Sequence, residues 1–467
     1  MFSVVPAHRD VRDPIHGFIR IEDRECEIVD VPVLQRLRRI RQLAMAYLIY
    51  PGAMHSRFEH TLGVLHVAGL LCRRLNIDAP HSRLIRLAAL LHDIGHGPFS
   101  HVSEEVLADL ASDEVKNQAG VIDKIHELIT RNIIQTDASL RRLVSDRDAE
   151  DIIHLLDKGL DQPIYRDLVS GPLDADKQDY LLRDSYYCGV RYGLYDMDRL
   201  HSVLAREADV NGDVLVLEDD GIHTLEQFVL ARYYLTTQVI RHKGRLISDA
   251  MLVRALTLGV KVDHIGFLQK RYAFDLSIEF VNEYITWNDE RLMSRLLEAE
   301  FETTNAGTIM RRLFERRLYK RVFQRNVADV PPLALTAGGI AGTLSTLETE
   351  VADQMSSLGA DRIDPNEVII KLVKAPPART SEGSVLLKRR GGALEPFESR
   401  SQIFKQIDQT LRDEYIECYA PITDPDEQKR HKLETTIDEL IVNRIQELLA
   451  SGSLEANVEG PEAGHAS

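Results

Sequence analysis

The sequence predicts a mainly α protein: a helical core with a short hairpin, followed by a small α+β C-terminal lobe. Three observations carry that reading. Apolar residues recur at helical spacing over most of Pro32 to Ile247. A Val214-Leu215-Val216 run leading into Asp219-Asp220-Gly221 reads as a strand and tight turn. Beyond Val330-Pro331-Pro332 the pattern changes to short β-rich runs separated by turn residues.

The elements follow in order. Val33-Leu34, Leu37, Ile40-Arg41 and Ala44 form a stripe that predicts one amphipathic helix. Thr61 to Leu75 and Ser82 to His92 repeat the period, with Ser82 as candidate N-cap and Gly95 and Pro98 as stops. Helices resume at Leu225 and run, with breaks, to about Arg325. Thr336 to Thr343 is small and Gly-rich and reads as a linker. Strands are expected at Glu367 to Val373, Ser384 to Leu387 and Tyr415 to Tyr419, with a helix over Ser401 to Leu411. Residues 426–450 read as a polar helix, and 451–467 as a tail of disordered composition. The domain plan is therefore a helical core over 1–250, a helical extension over 251–330, the α+β lobe over 331–425, and a C-terminal helix and tail over 426–467.

At 467 residues the chain is long enough for large cores and a cleft between them. Apolar residues at 44% and charged residues at 28% describe an ordinary globular composition, which excludes collagen-like and low-complexity classes. With 57 Lys and Arg against 73 Asp and Glu, the formal net charge is −16. Such an acidic chain is not a general nucleic-acid coat, because that binding rests on clustered cations. The four cysteines, Cys26, Cys72, Cys188 and Cys418, are far apart and form no CxxC pair, which argues against a zinc ribbon or disulfide scaffold. No apolar leader stands at the N-terminus and no run approaches ~18 apolar residues, so neither secretion nor membrane insertion is expected and the cytoplasm is the expected compartment.

The chemically informative segment is Leu90-Leu91-His92-Asp93-Ile94-Gly95-His96-Gly97-Pro98-Phe99-Ser100-His101. A His beside an Asp at the end of an apolar helix can offer imidazole nitrogen and carboxylate oxygen to one cation. Arg57-Phe58-Glu59-His60 lies upstream and Leu173-Asp174-Ala175-Asp176-Lys177-Gln178-Asp179-Tyr180 downstream. Together they supply His, His, Asp and Asp, leaving coordination positions for water and a phosphate oxygen. His96, His101 and His126-Glu127 add groups able to move protons near neutral pH. His66, His154 and His223 read as structural histidines.

These segments resemble the HD-domain phosphohydrolases, and within them the sterile-alpha-motif/HD-domain dNTP triphosphohydrolases of vertebrates and their bacterial relatives. Asp13-Pro14-Ile15-His16-Gly17, Gln35-Arg36-Leu37-Arg38, Arg57 to His60 with Leu62-Gly63, the His92 to His101 run and Asp174 to Asp184 match in order, and Arg232 and His242-Lys243 extend the match. Coverage is roughly residues 9–420. The motif begins almost at Met1, so no sterile-alpha-motif domain is expected before it.

The resemblance implies an all-helical HD-domain core and roles by position. His60, His92, Asp93 and Asp176 match ligands of a divalent metal, which could be Mn, Fe, Mg, Ni or Zn. His96, His101 and His126, with Glu127 and Glu104, match groups that contact phosphates or move protons. Arg57, Lys177 and Arg232 match triphosphate contacts. Gln42 and Asp184 match the pair that reads the sugar 3′-hydroxyl, while Tyr180 and Leu43 match residues packed on the sugar and crowding its 2′ side. Arg9, Asp30, Gln35 and Arg38 match a guanine-nucleotide pocket between subunits, with His242 and Lys243 matching phosphate contacts. The implied activity is metal-dependent hydrolysis of dNTPs to deoxynucleoside and tripolyphosphate. The implied form is a homo-oligomer, dimer or tetramer, responsive to GTP or a dNTP. An HD-type phosphodiesterase or nuclease, and a nucleotide-sensing module, are the alternatives.

Three positions depart from the family pattern: Glu104 stands where an Asp is expected, Ile240 where a Tyr is, and Thr236 where a His is. On charge alone, Arg36, Arg38, Arg39 and Arg41 read as a solvated helix face, and Arg311-Arg312, Arg316-Arg317 and Lys320-Arg321 as a second basic helix.

Overall fold

The computed structural model describes residues 8–117, 125–157, 162–210, 212–275, 277–327, 340–357, 362–373, 385–403, 414–422 and 427–450. Most of the core is helical. A hairpin precedes it, β1 (His8–Asp13) against β2 (Gly17–Glu22), in register from His8↔Glu22 to Asp13↔Gly17. Sequence patterning missed these strands, because Arg, Asp and His alternate on their exposed face.

The stripe from Val33 to Ala44 is not one helix. A single turn, Pro32–Gln35, runs into a 3-10 turn, Arg36–Arg39, and Ile40 is extended at φ −120° and ψ 114°. Val33, Leu34, Leu37, Ile40 and Ala44 are all buried, so the stripe marks burial and not helix. The backbone instead turns at Ala44, φ 46°, and Arg41 pairs across to Ser56 in an isolated bridge. Nor do the four arginines form one solvated face. Arg38 and Arg39 are exposed, whereas the Arg36 guanidinium points inward and donates to Ile94 O and His96 O.

Two long helices then cross: α1 (Arg57–Arg74) and α2 (Ala79–Leu91). Ser56 and Glu59 close a capping box on α1. The N-cap of α2 is Asp78, which accepts from His81 N, and not Ser82; Pro80 occupies the first turn, where its missing N–H costs nothing. After Gly95 to Ser100 come α3 (His101–Leu110), α4 (Ile125–Thr136) and α5 (Ala175–Cys188). The hairpin β3 (Leu204–Asp209) and β4 (Gly212–Glu218) closes between Asp209 and Gly212. Asp219-Asp220-Gly221 is a 3-10 turn leading into α6 (Ile222–Leu235), not the hairpin turn. α7 (Lys243–Lys261) and α8 (Asp289–Leu296) follow.

Helices do not run through to Arg325. Lys320–Asn326 is a strand, β5, so Lys320 and Arg321 leave the basic helix, while Arg312 pairs with Glu367 and Arg316 donates to Leu48 O. The Gly-rich stretch is a linker only in part: α9 (Ile340–Ser357) starts within it, and residues 336–339 lie outside the described residues. Next come β6 (Ile369–Val373), β7 (Leu386–Lys388), β8 (Leu394–Pro396), β9 (Tyr415–Ala420) and α10 (Glu427–Ala450). The helix expected over Ser401 to Leu411 lies, from 404 on, outside the described residues, as does the tail from Ser451.

The later strands complete earlier sheets. One sheet has the order β3-β4-β7-β8 and another β5-β9-β6. A main core runs from Ile19 to Leu313 and beyond. A second packs Val322 and Phe323 of β5 with Val351, Met355, Ile370, Ile416 and Ile437. All four cysteines are buried free thiols. Among the described residues no helix is long and apolar enough to cross a membrane.

Candidate functional site

The site forms where α1, the His92–His101 turn and the head of α5 meet. Gly63 sets the approach of α1 to α5: a Cβ there would lie 1.9 Å from Asp179 Oδ1. That contact places His60 and Asp179 together. The turn is held from three sides. Arg36 donates to Ile94 O at 2.9 Å and His96 O at 2.8 Å. Thr130 on α4 accepts from Gly95 N at 3.0 Å and donates to His92 O at 3.1 Å. Asp289 accepts from Phe99 N at 2.7 Å and Arg41 N at 2.9 Å. Phe99 and Ser100, with φ of 61° and 54°, take left-handed backbone that non-glycine residues rarely adopt.

His60, His92 and Asp93 offer ligand atoms within 4.8 Å of one another. Asp176 Oδ1 lies 2.9 Å from His60 Nε2 and 3.9 Å from His92 Nε2. Each ring is fixed from behind: His60 Nδ1 donates to Asp179 Oδ2 at 2.8 Å, and His92 Nδ1 to Ala89 O at 2.7 Å. Both therefore turn Nε2 to the shared centre, the arrangement that orients histidine ligands on a metal. His92 Nε2 is buried and makes no hydrogen bond among the described residues. Burial disfavours a proton on His60, but Asp176 and Asp179 outweigh it and raise the imidazole to about 10. The negative field that holds that proton suits a divalent cation equally. The donor set thus fits the expected metal: two imidazoles and two carboxylates.

A second cluster adjoins the first. Glu104 meets three imidazoles: His96 Nδ1 at 2.7 Å, His101 Nδ1 at 3.3 Å and His126 Nδ1 at 2.9 Å. The His96 and His126 rings stack at 4.2 Å. Burial pushes His96 down to about 3, while at His126 the Glu104 carboxylate overcomes burial and raises it. Neighbouring imidazoles are thus driven apart, one towards neutral and one towards charged. His101 is the exposed member, at 66%.

The cavity over these groups has a volume of ≈ 390 Å³. Its wall includes Arg57, His92, Asp93, Asp176, His101, His126 and Glu127, and further along Lys177, Tyr180, Asp184, Gln42 and Leu43. Arg57 donates to Asp93 Oδ2 at 2.5 Å and to Ser100 Oγ at 2.7 Å. Lys177 Nζ is held by Asp174 Oδ2 at 2.6 Å, and burial raises that carboxyl to about 7. Asp184 meets buried His55 at 2.8 Å. Arg232 stands close enough to Tyr180 for its charge to act on the phenol, but is off the cavity wall.

Arg9, Asp30, Gln35 and Arg38 form two pairs at the surface. Arg9 pairs with Asp30 at 2.7 Å, and Arg38 donates to Gln35 Oε1 at 2.8 Å while lying 3.6 Å over the Phe58 ring. His242 caps α7 by accepting from Gly244 N and sets its ring edge to Tyr50; Lys243 is the first residue of that helix.

Sequence reasoning missed several supports. Asp179 is fully buried, accepts from Arg183 Nε and Nη2 and from His60, and meets His16 at 2.6 Å. Its signal was available, since Asp176 and Asp179 share a helix face at i, i+3. His55 could be suspected from nothing local, and Asp289 lies 190 residues from Phe99.

The fold and the paired clusters define a histidine–aspartate helical domain with an associated C-terminal region. A family model for the HD domain matches residues 57–186, and one for the HD-associated region matches 196–435. The chain belongs to the HD-domain family. It is 32% identical over 324 residues to an uncharacterized protein of Methanocaldococcus jannaschii, covering 69% of this chain and 61% of that one. It is 29% identical over 342 residues to the human deoxynucleoside triphosphate triphosphohydrolase SAMHD1, covering 67% and 54%. The chain thus spans a little over half the length of these curated relatives. A hypothetical protein from Aquifex aeolicus superposes with a TM-score of 0.66 at 26% identity, over 92% of this chain and 100% of that one.

Proposed function

We propose that the protein is a metal-dependent dNTP triphosphohydrolase, releasing deoxynucleoside and tripolyphosphate. The observation that carries this reading is one cavity lined by His92, Asp93 and Asp176, with His60 within ligand distance of them, and by the Glu104-linked histidines His96, His101 and His126. A divalent ion held by His60, His92, Asp93 and Asp176 supplies Lewis acidity toward a phosphoryl oxygen and lowers the pKa of water. Arg57, oriented by Asp93 and Ser100, offsets phosphate charge, and Lys177 adds an ammonium. His126, its pKa raised by Glu104, donates to the leaving 5′-oxygen, while His96 stays neutral; Glu127 on the same wall assists. Asp184, held by His55, accepts from a 3′-hydroxyl together with Gln42. Leu43 and Tyr180 fill the 2′ side, which favours deoxyribose.

The surface pairs Arg9–Asp30 and Gln35–Arg38 are the proposed effector surface for GTP or a dNTP. There Asp30 accepts from guanine N1–H and N2–H, Arg38 donates to O6 and N7, and His242 and Lys243 contact the phosphates of the nucleotide bound between subunits of a dimer or tetramer. A second reading has one observation in its favour. His96, His101, Glu104 and His126 also offer ligand atoms within 4.8 Å, as a two-metal phosphodiesterase or nuclease would need.

Product analysis separates them. The protein is incubated with each dNTP, its matched NTP and oligonucleotides in Mn or Mg. Tripolyphosphate plus deoxynucleoside, at least tenfold faster than from the NTP, is expected. Replacing His92-Asp93 by Ala-Ala removes it while the helical circular dichroism stays. Diphosphate release, shortened oligonucleotides or unchanged dNTP overturn the reading.

A further inference from the structure

α5 is a ruler laid along the cavity. Asp176, Tyr180, Asp184 and Cys188 follow at intervals of four, about 6 Å apart at 1.5 Å per residue. Asp176 belongs to the metal donors, and Asp184 stands about 12 Å further on. Arg245, on the first turns of α7, also lines this cavity. Its charge and that of Asp184 both act on the Cys188 thiol, so it lies toward the far end of the ruler, on the same cavity wall as Asp184 and Ile240. A nucleotide with its phosphates at Asp176 and its sugar at Tyr180 and Asp184 brings its base to this end.

The wall has other cations, and they are engaged. Arg57 is bound to Asp93, Lys177 to Asp174 and Arg131 to Asp157. Arg245 differs. Its side chain is 12% exposed and its Nε lies 3.4 Å from Asp249 Oδ2, yet Nε and Nη1 are buried and make no hydrogen bond among the described residues. Buried guanidinium donors left unpaired cost free energy, which an acceptor on a bound ligand removes. Burial raises the Asp249 carboxyl above its ordinary range, and the Arg245 charge beside it works against that rise.

We infer that Arg245 is a specificity-determining residue that reads the base of the substrate, and that it selects guanine. This rests on the nucleotide reading of the cavity proposed above. A planar fork of donors suits two adjacent acceptors, and guanine presents O6 and N7 side by side. Adenine pairs N7 with an amino donor that opposes the guanidinium, and thymine sets an N–H donor between its two carbonyls. Cytosine does have adjacent acceptors, O2 and N3, but O2 sits on the carbon bonded to the glycosidic nitrogen, so that pair faces the sugar side of the ring and not the far end of the cavity; the dCTP arm of the test checks this. A second phosphate at the 3′ position is the other acceptor of matching chemistry, but the Asp184 carboxylate on the same wall repels it. The sequence hides this residue, because Arg245 follows the His242-Lys243 pair and reads as one more basic position.

The test compares wild type with Arg245→Met, which keeps the length and apolar stem and removes the fork. With the metal-loaded protein, kcat/KM for dGTP exceeds that for dATP, dCTP and dTTP at least tenfold in wild type. In the variant the dGTP to dATP ratio falls to within about twofold. Calorimetry with unphosphorylated deoxyguanosine and deoxyadenosine, which the enzyme cannot hydrolyse, shows the same loss of selectivity. Equal base ratios in wild type and variant overturn the assignment, as does the absence of nucleoside selectivity. So does a variant whose lost selectivity is for 3′-phosphorylated nucleotides. Selective binding of deoxyguanosine without hydrolysis of any dNTP sinks the triphosphohydrolase reading and leaves the Arg245 assignment standing.

Discussion

Asp179 touches no substrate in any reading of the site, yet it organises the metal end. It is fully buried and receives His60 Nδ1, Arg183 and His16 together. Burial opposes its charge, but Arg183 and the two imidazoles hold its carboxyl well below the usual range. The charged form therefore persists, fixes the tautomer of His60 and strengthens Nε2 as a donor. Asp179→Asn keeps the shape and removes the charge. It is expected to weaken metal affinity roughly 10–100-fold, as loss of such a supporting carboxylate typically does. Titration of the metal-stripped variant with Mn, followed by calorimetry, checks this. Because Arg183 retains its bond to Asp13, the variant should stay folded in far-UV circular dichroism. Wild-type affinity in a folded variant would show that His60 is oriented by packing alone.

Between α2 and α3 the chain gives up helix for nine residues, and this turn shows what the sequence discloses and what it hides. His92, Asp93, His96 and His101 were legible because their residue types and spacing are local facts. The stripe before α1 was legible as buried but not as broken, since periodicity registers the buried face and cannot register a left-handed Ala44. The partners of the turn were not legible at all. Phe99 and Ser100 tolerate positive φ only because Asp289 holds Phe99 N, while Ser100 Oγ bridges Arg57 to Arg41 O. Asp289 sits on α8, in the segment expected only to extend the core. Its carboxyl is raised to about 6 by burial, which the Arg41 and Phe99 N–H groups offset only partly. Asp289→Ala leaves two N–H donors without their acceptor, against the gain of removing a buried charge. The net expectation is a loss of about 2 kcal/mol, since an orphaned buried donor costs roughly 1–3 kcal/mol. Urea unfolding with an unchanged m-value measures it, and a loss below about 0.5 kcal/mol, the usual range of a surface change, would mean the turn holds itself.

Across the whole molecule, the strands after residue 330 belong to sheets begun before it. The β-rich runs near 369, 386 and 415 were readable from composition, but their partners were not, because pairing between residues 42 to 170 positions apart leaves no local trace. β7 lies parallel to β4, from Val216↔Leu386 to Glu218↔Lys388, and β9 lies between β5 and β6. Ion pairs continue the connection: Lys371 to Glu105 at 2.7 Å, Arg312 to Glu367 at 2.9 Å, and Arg254 to Glu348. Arg241 donates to Val373 O a few residues before the cavity residue Arg245. Ending the chain at residue 330 therefore removes more than an appendage. It takes β7 from β4, leaving β3 on one side only, takes β9 from β5, and uncovers Val216, Val322 and Phe323, each at most 5% exposed in the full chain. Unpaired edges flanked by apolar residues template association. The fragment 1–330 is expected to aggregate or elute in the void volume under conditions where the full chain is soluble. Re-adding residues 331–450 as a separate polypeptide during refolding should recover part of the soluble fraction, because the missing strands carry their own apolar faces. A monodisperse fragment with native-like helical signal and wild-type turnover would show that the core closes without those strands and that the site owes them nothing.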